Sequence, residues 1–112
     1  MRGRIGDEQR IAHIHEAIEE IEQYIKGISS ADFKSKSIIK FASIKQIEII
    51  GEAARYITNE TKSLYPDIEW KEIAGLRNIL VHEYFGIDAD LIWQILTVDI
   101  PELKGKLKKG KS

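Results

Sequence analysis

The run Arg77-Asn78-Ile79-Leu80-Val81-His82-Glu83-Tyr84 sets a guanidinium, a carboxamide, an imidazole and a phenol on a mostly apolar segment. At about 100° per helical residue, Trp70, Val81 and Ala74 fall about +20°, +40° and +60° from Arg77, and Ile73 and Leu80 about −40° and −60°. This arithmetic predicts Arg77 at the centre of an apolar arc. Tyr84 falls about 20° from it, while Asn78 and His82 share a flank at about +100° and +140°, so that all four side chains can converge on one ligand.

Burying an unpaired guanidinium costs several kcal/mol, and arginine does not escape by losing its proton. Arg77 therefore calls for an anion, either Glu52 or Glu48 on a neighbouring helix or a phosphate. Taken singly, each residue has a plainer reading: Arg77 in a buried ion pair, His82 capping a helix end, Tyr84 filling the core. Taken together, an arginine, a base with a near-neutral pKa and a hydroxyl suit the handling of a phosphodiester.

The chain has 112 residues, which read as one domain, 1–112, with a core of modest size. It has no cysteine, so disulfides, thiolate metal sites and cysteine nucleophiles are excluded, and a reducing cytoplasm is the expected location. No apolar run is long enough for a membrane span, and the start MRGRIGDEQR lacks the apolar stretch of a signal peptide. The net charge of −1 conceals an asymmetry: the last nine residues, KGKLKKGKS, hold five of the 17 basic residues and none of the 18 acidic ones, leaving residues 1–103 at −6. Such a body argues against broad nonspecific binding of nucleic acid, and the lysine-rich stretch 104–112 reads as a flexible, solvated tail. Any RNA site must draw on local basic groups, Arg77 with Arg55, Lys71 or the tail.

Apolar spacing is helical throughout, which predicts an all-α antiparallel bundle of four to five helices. Helix one is expected from Asp7, as N-cap, to Ile25, with Ile11, Ile14, Ile18, Ile21 and Ile25 on one stripe and a stop at Gly27. A second helical region after Ser29-Ser30 leads into a long one over about 37–57, with Ile39, Ile44, Ile47, Ile50, Ala54 and Ile57 turned inward. The segment carrying the polar run spans about Glu69 to Val81 or His82. Asp88 restarts a helix, and Pro101 kinks it or opens a last one.

Other candidates are weaker. His13 and His15, two apart, lie about 200° apart around a helix and cannot chelate one metal, so no metal or cofactor is expected. No phosphate-cradling GxxxxGK[ST] or GxGxxG occurs. Glu52, beside a glycine in IGEAAR, can orient Arg77 or His82, or can form a surface pair with Arg55.

The stretch WKEIAGLRNILVHEYFGID resembles the signature of HEPN-domain proteins of the HepT family, with Arg77, His82 and Tyr84 filling R-x4-H-x-Y. IEIIGEAARYI is similar to that family's second recurring segment, and the likeness spans about residues 7–105. Glu69 departs from the proline that relatives often carry before the tryptophan, which affects a helix start and not the motif. The resemblance implies a helical homodimer that brings two motifs together across a two-fold cleft, and a metal-independent endoribonuclease toxin acting on RNA. It also implies an MntA-type minimal nucleotidyltransferase antitoxin, which transfers AMP to the motif tyrosine, here Tyr84. Catalysis would then rest on Arg77 and His82, with Asn78, Tyr84 and Glu52 in support. Two other readings stand beside it. The chain could be a noncatalytic nucleotide- or substrate-binding subunit of a nucleotidyltransferase pair, or a helical dimerisation module whose polar run specifies an interface.

Overall fold

The computed structural model describes residues 2–82 and 88–111, with the backbone alone described at 2–5, 80–82 and 111. Every element among these residues is helical: α1 (Arg2–Ile25), α2 (Ser30–Ser35), α3 (Ser37–Arg55), α4 (Asn59–Lys62), α5 (Trp70–His82), α6 (Ala89–Gln94), a π-helical turn (Ile95–Asp99) and α7 (Ile100–Lys111). The expected all-α bundle is thus observed, with four long helical segments and the short α2 and α4 between them. No described helix is long and apolar enough to cross a membrane.

The stripe on α1 buries Ile11, Ile14, Ile18 and Ile21, and the helix stops where Gly27 takes φ 74°, a left-handed turn that costs glycine no Cβ clash. α2 opens with a capping box: the Ser29 hydroxyl accepts from the Asp32 N–H at 3.1 Å, and the Asp32 carboxylate accepts from the Ser29 N–H at 3.2 Å. Phe33, wholly buried, then packs against the Trp93 ring at 5.2 Å. α3 lies between α1 and α5, burying Ile47, Ile50, Ala53 and Ala54. Asp88 caps α6 by accepting from the N–H groups of Asp90 and Leu91.

Two expectations are corrected. Asp7 is not the N-cap of α1, which begins five residues earlier, at Arg2; its carboxylate is buried and turned onto the start of α4. The 104–112 stretch is not a frayed tail through residue 111. It lies in α7, where Leu103 and Leu107 are buried and Lys104, Lys106 and Lys109 pair with Glu22, Glu102 and Asp67. A lysine-rich segment with leucines four apart is a snorkelling amphipathic helix as readily as a solvated end. Pro101 opens α7 after a widened turn. Proline has no N–H for the carbonyl four residues back, and the Ile100 N–H just before it bonds five residues back to Ile95.

Candidate active site on the α3–α5 edge

The site begins with a glycine. A Cβ on Gly51 would lie 3.2 Å from Arg77 Cβ and 3.3 Å from the Arg77 backbone nitrogen, so this residue lets α3 and α5 approach backbone to side chain. Glu52, the next residue, then reaches Arg77: Oε2 and Nη1 are 3.3 Å apart. Of the two glutamates considered as partners, Glu52 is the one that pairs; Glu48 lies 3.9 Å from Lys45 instead. Arg55, the other candidate partner of Glu52, is placed over the Tyr56 ring.

Arg77 does not occupy the core. Its side chain is 44% exposed and that of Glu52 47%, which overturns the expectation of a guanidinium at the centre of the buried arc. The inward position belongs to Leu76, at 7% exposure, and Trp70 is buried in the first turn of α5, edge-on to Tyr65 at 6.0 Å. With the helices this close at Gly51, no volume remains between them for a guanidinium. The stem follows the crevice and the charged head stays in water. Asn78 is exposed, and Ile79, 37% exposed, lines a cavity between α5 and α7.

His82 is the last residue of α5, five residues beyond Arg77 and so roughly 7.5 Å further along the axis. Its side chain and the whole of Tyr84 lie outside the described residues, and so does their expected convergence with Arg77.

A second polar cluster was not foreseen. Asp7, 1% exposed, accepts from the Thr58 N–H at 3.2 Å, from the Thr58 hydroxyl, and from the Thr61 hydroxyl at 2.6 Å; Arg10 stands 3.4 Å away and also donates to the Tyr56 carbonyl at 3.1 Å. Burial pushes the Asp7 carboxyl up, but the bonds from Thr58 and Thr61 and the charge of Arg10 outweigh it and hold the group below its usual 3.8. The sequence signal was faint: an aspartate on an apolar helix and a T-x-x-T pair 51 residues away. A cavity of about 420 Å³ between α5 and α7 lies away from Arg77; burial and neighbouring Glu102 raise the carboxyl of Asp99 on its wall. Among the described residues no three carboxylate or imidazole groups stand close enough to hold a metal ion.

The family model described as Ribonuclease HepT-like matches residues 14–109, nearly the whole of this bundle and all of its α3–α5 edge. The chain belongs to the HepT-like ribonuclease family. It is 46% identical over 96 residues to "Probable ribonuclease HepT" of Thermococcus cleftensis, covering 86% of this chain and 87% of that protein. It is 42% identical over 95 residues to "Putative RNase MJ1380" of Methanocaldococcus jannaschii, covering 85% and 87%. A third relative, "Putative RNase TTE0752" of Caldanaerobacter subterraneus subsp. tengcongensis, is 37% identical over 99 residues, with 88% of each chain covered. No solved structure matches. Within this HepT-like family the all-α bundle is the HEPN-like fold that the sequence resemblance implies.

Proposed function

We propose that the chain is an endoribonuclease whose active site is the exposed edge of α5, with Arg77 and His82 as the catalytic residues. The observation that carries this reading is the half-exposed ion pair of Arg77 with Glu52, on the helix that ends at His82. A guanidinium so placed can exchange one carboxylate for a phosphate at little cost, because neither charge is sealed from water. In the reaction the ribose 2′-oxygen attacks phosphorus, giving a 2′,3′-cyclic phosphate and releasing a 5′-hydroxyl. His82 takes the 2′ proton or delivers one to the leaving 5′-oxygen, and Arg77 stabilises the negative charge that builds on the phosphoryl oxygens. This chemistry needs no metal. Glu52 is a positioning residue that holds the guanidinium when RNA is absent, and Asn78, exposed on the same helix, donates to phosphate.

Two copies would meet on this edge, so that the two His82 side chains divide the acid and base roles across a two-fold cleft. In this scheme Tyr84 orients RNA and accepts AMP from a nucleotidyltransferase antitoxin, which would add bulk and negative charge beside Arg77. Under this proposal the chain is the toxin of a toxin–antitoxin pair.

The test is cleavage of single-stranded RNA by the purified chain in EDTA. The parent is expected to cut, and His82→Ala, folded to the same helical content, to lose roughly 10²–10⁴-fold in rate. Equal rates would refute the assignment of His82, and nucleotide binding without turnover of any RNA would favour the noncatalytic subunit.

A further inference from the structure

The Glu52 carboxylate that pairs with Arg77 also lines a groove of about 330 Å³ between α1 and α3, together with Gln9, Arg10, His13 and Tyr56. The volume is within the range that admits a small organic group. Tyr56, one helical turn beyond Glu52, is 50% exposed, and the guanidinium carbons of Arg10 and Arg55 lie 5.6 Å and 5.4 Å from its ring centroid. Arg10 has a structural reason to be there, since it bonds the Tyr56 carbonyl and the buried Asp7. Arg55 has none: it is exposed, and among the described residues it makes no side-chain hydrogen bond or ion pair besides its place over the ring.

The distribution of arginine sharpens the point. Arg10 lines this groove, Arg55 stands over the Tyr56 ring at its wall, and Arg77 is joined to it through Glu52, whereas Lys34, Lys104, Lys106 and Lys109 are ion-paired elsewhere. The planar guanidinium serves both phosphate and the face of a base, which the ammonium of lysine does not. An exposed aromatic ring with a cation against it is a surface on which an unpaired base stacks, whatever its sequence.

We propose that Tyr56 and Arg55 form a base-stacking subsite for single-stranded RNA, with Arg10 as the fixed cation behind the ring, so that the strand runs from the Arg77 edge along the α1–α3 groove. This inference rests on the ribonuclease reading and adds to it the substrate class and the direction of the strand. A duplex cannot use the subsite, because its bases are already stacked on one another.

The test is fluorescence anisotropy with a noncleavable 2′-O-methyl single-stranded dodecamer and a matched duplex, alongside cleavage of an all-ribose strand of the same sequence. Tyr56→Ala is expected to weaken single-strand binding roughly fivefold or more and to leave duplex binding unchanged, while Tyr56→Phe, which keeps the ring, stays within roughly twofold of the parent. Single-strand binding by Tyr56→Ala at parental strength overturns the inference, as does an equal loss in Tyr56→Phe. If Tyr56→Ala does not fold, Arg55→Gln decides: weaker binding of the single strand alone supports the subsite, and parental affinity overturns it. A parent that cuts RNA, with Tyr56→Ala cutting equally fast, refutes the subsite and leaves the ribonuclease reading standing. A parent that neither binds nor cuts the strand refutes both.

Discussion

Two carboxylate–arginine pairs on neighbouring parts of this bundle have opposite designs. At the α1–α4 corner Asp7 is buried and accepts from two threonines besides its contact with Arg10, so the pair is one part of a closed network. On the α3–α5 edge Glu52 and Arg77 pair only with each other among the described residues, with about half of each side chain exposed. A buried charge with many donors fixes two elements together, and its loss leaves partners stranded. An exposed pair contributes little to stability and yields its cation readily to a ligand. The corner holds the fold and the edge remains available for chemistry.

The largest expected effect on stability is at the corner. Asp7→Ala should lower the unfolding free energy by about 3 kcal/mol, measured by urea denaturation, because the Thr58 N–H and two hydroxyls lose an ionic acceptor. The pH dependence has a definite sign. The folded-state pKa of Asp7 lies below the ordinary 3.8, so its contribution is present above that value and is lost as pH falls through the lower folded value. The parent should therefore lose stability more steeply than Asp7→Ala below about pH 4. Matching acid profiles would show that the network does not hold the corner.

A smaller effect is expected where the two designs are joined, on α3. Gly51→Ala places a methyl 3.2 Å from Arg77 Cβ and 3.3 Å from its backbone nitrogen, and the backbone of α5 cannot swing aside as a side chain would. Overpacking of this kind costs about 1–3 kcal/mol, and the better helix propensity of alanine returns about 0.5–1, so a net loss of about 1 kcal/mol is expected. RNA cleavage should fall with it, because the methyl displaces Arg77 from Glu52. A variant as stable and as active as the parent would mean that the glycine sets no distance that matters.

Much of the bundle was legible because its apolar residues recur at three and four positions: the α1 stripe, the inward face of α3, the stop at Gly27 and the cap at Asp88 all follow from local chemistry. What was not legible depended on partners far away in sequence. Asp7 fits an N-cap by position, yet its acceptors are satisfied by threonines 51 and 54 residues on. Arg77 fits the apolar arc by angle, and it is the close approach at Gly51, a tertiary fact, that turns it outward. The lysine-rich end read as solvated because charge was weighed above Leu103 and Leu107, which α7 buries. Spacing alone allows Glu52 either Arg77 or Arg55, and the contact of α3 with α5 settles it on Arg77, leaving Arg55 to the adjacent Tyr56 ring.

The smallest expected change in stability is at the edge, where Arg77→Ala should alter the unfolding free energy by less than about 1 kcal/mol, since both members of its pair are half exposed. This variant therefore offers the most direct measurement: its rate of RNA cleavage, taken beside its thermal midpoint. The account predicts a midpoint close to the parent's with cleavage reduced by roughly 10²–10³-fold, the loss typical of removing a donor to a developing oxyanion. Parental cleavage by Arg77→Ala, or a loss of activity that only follows a collapse in stability, would contradict it.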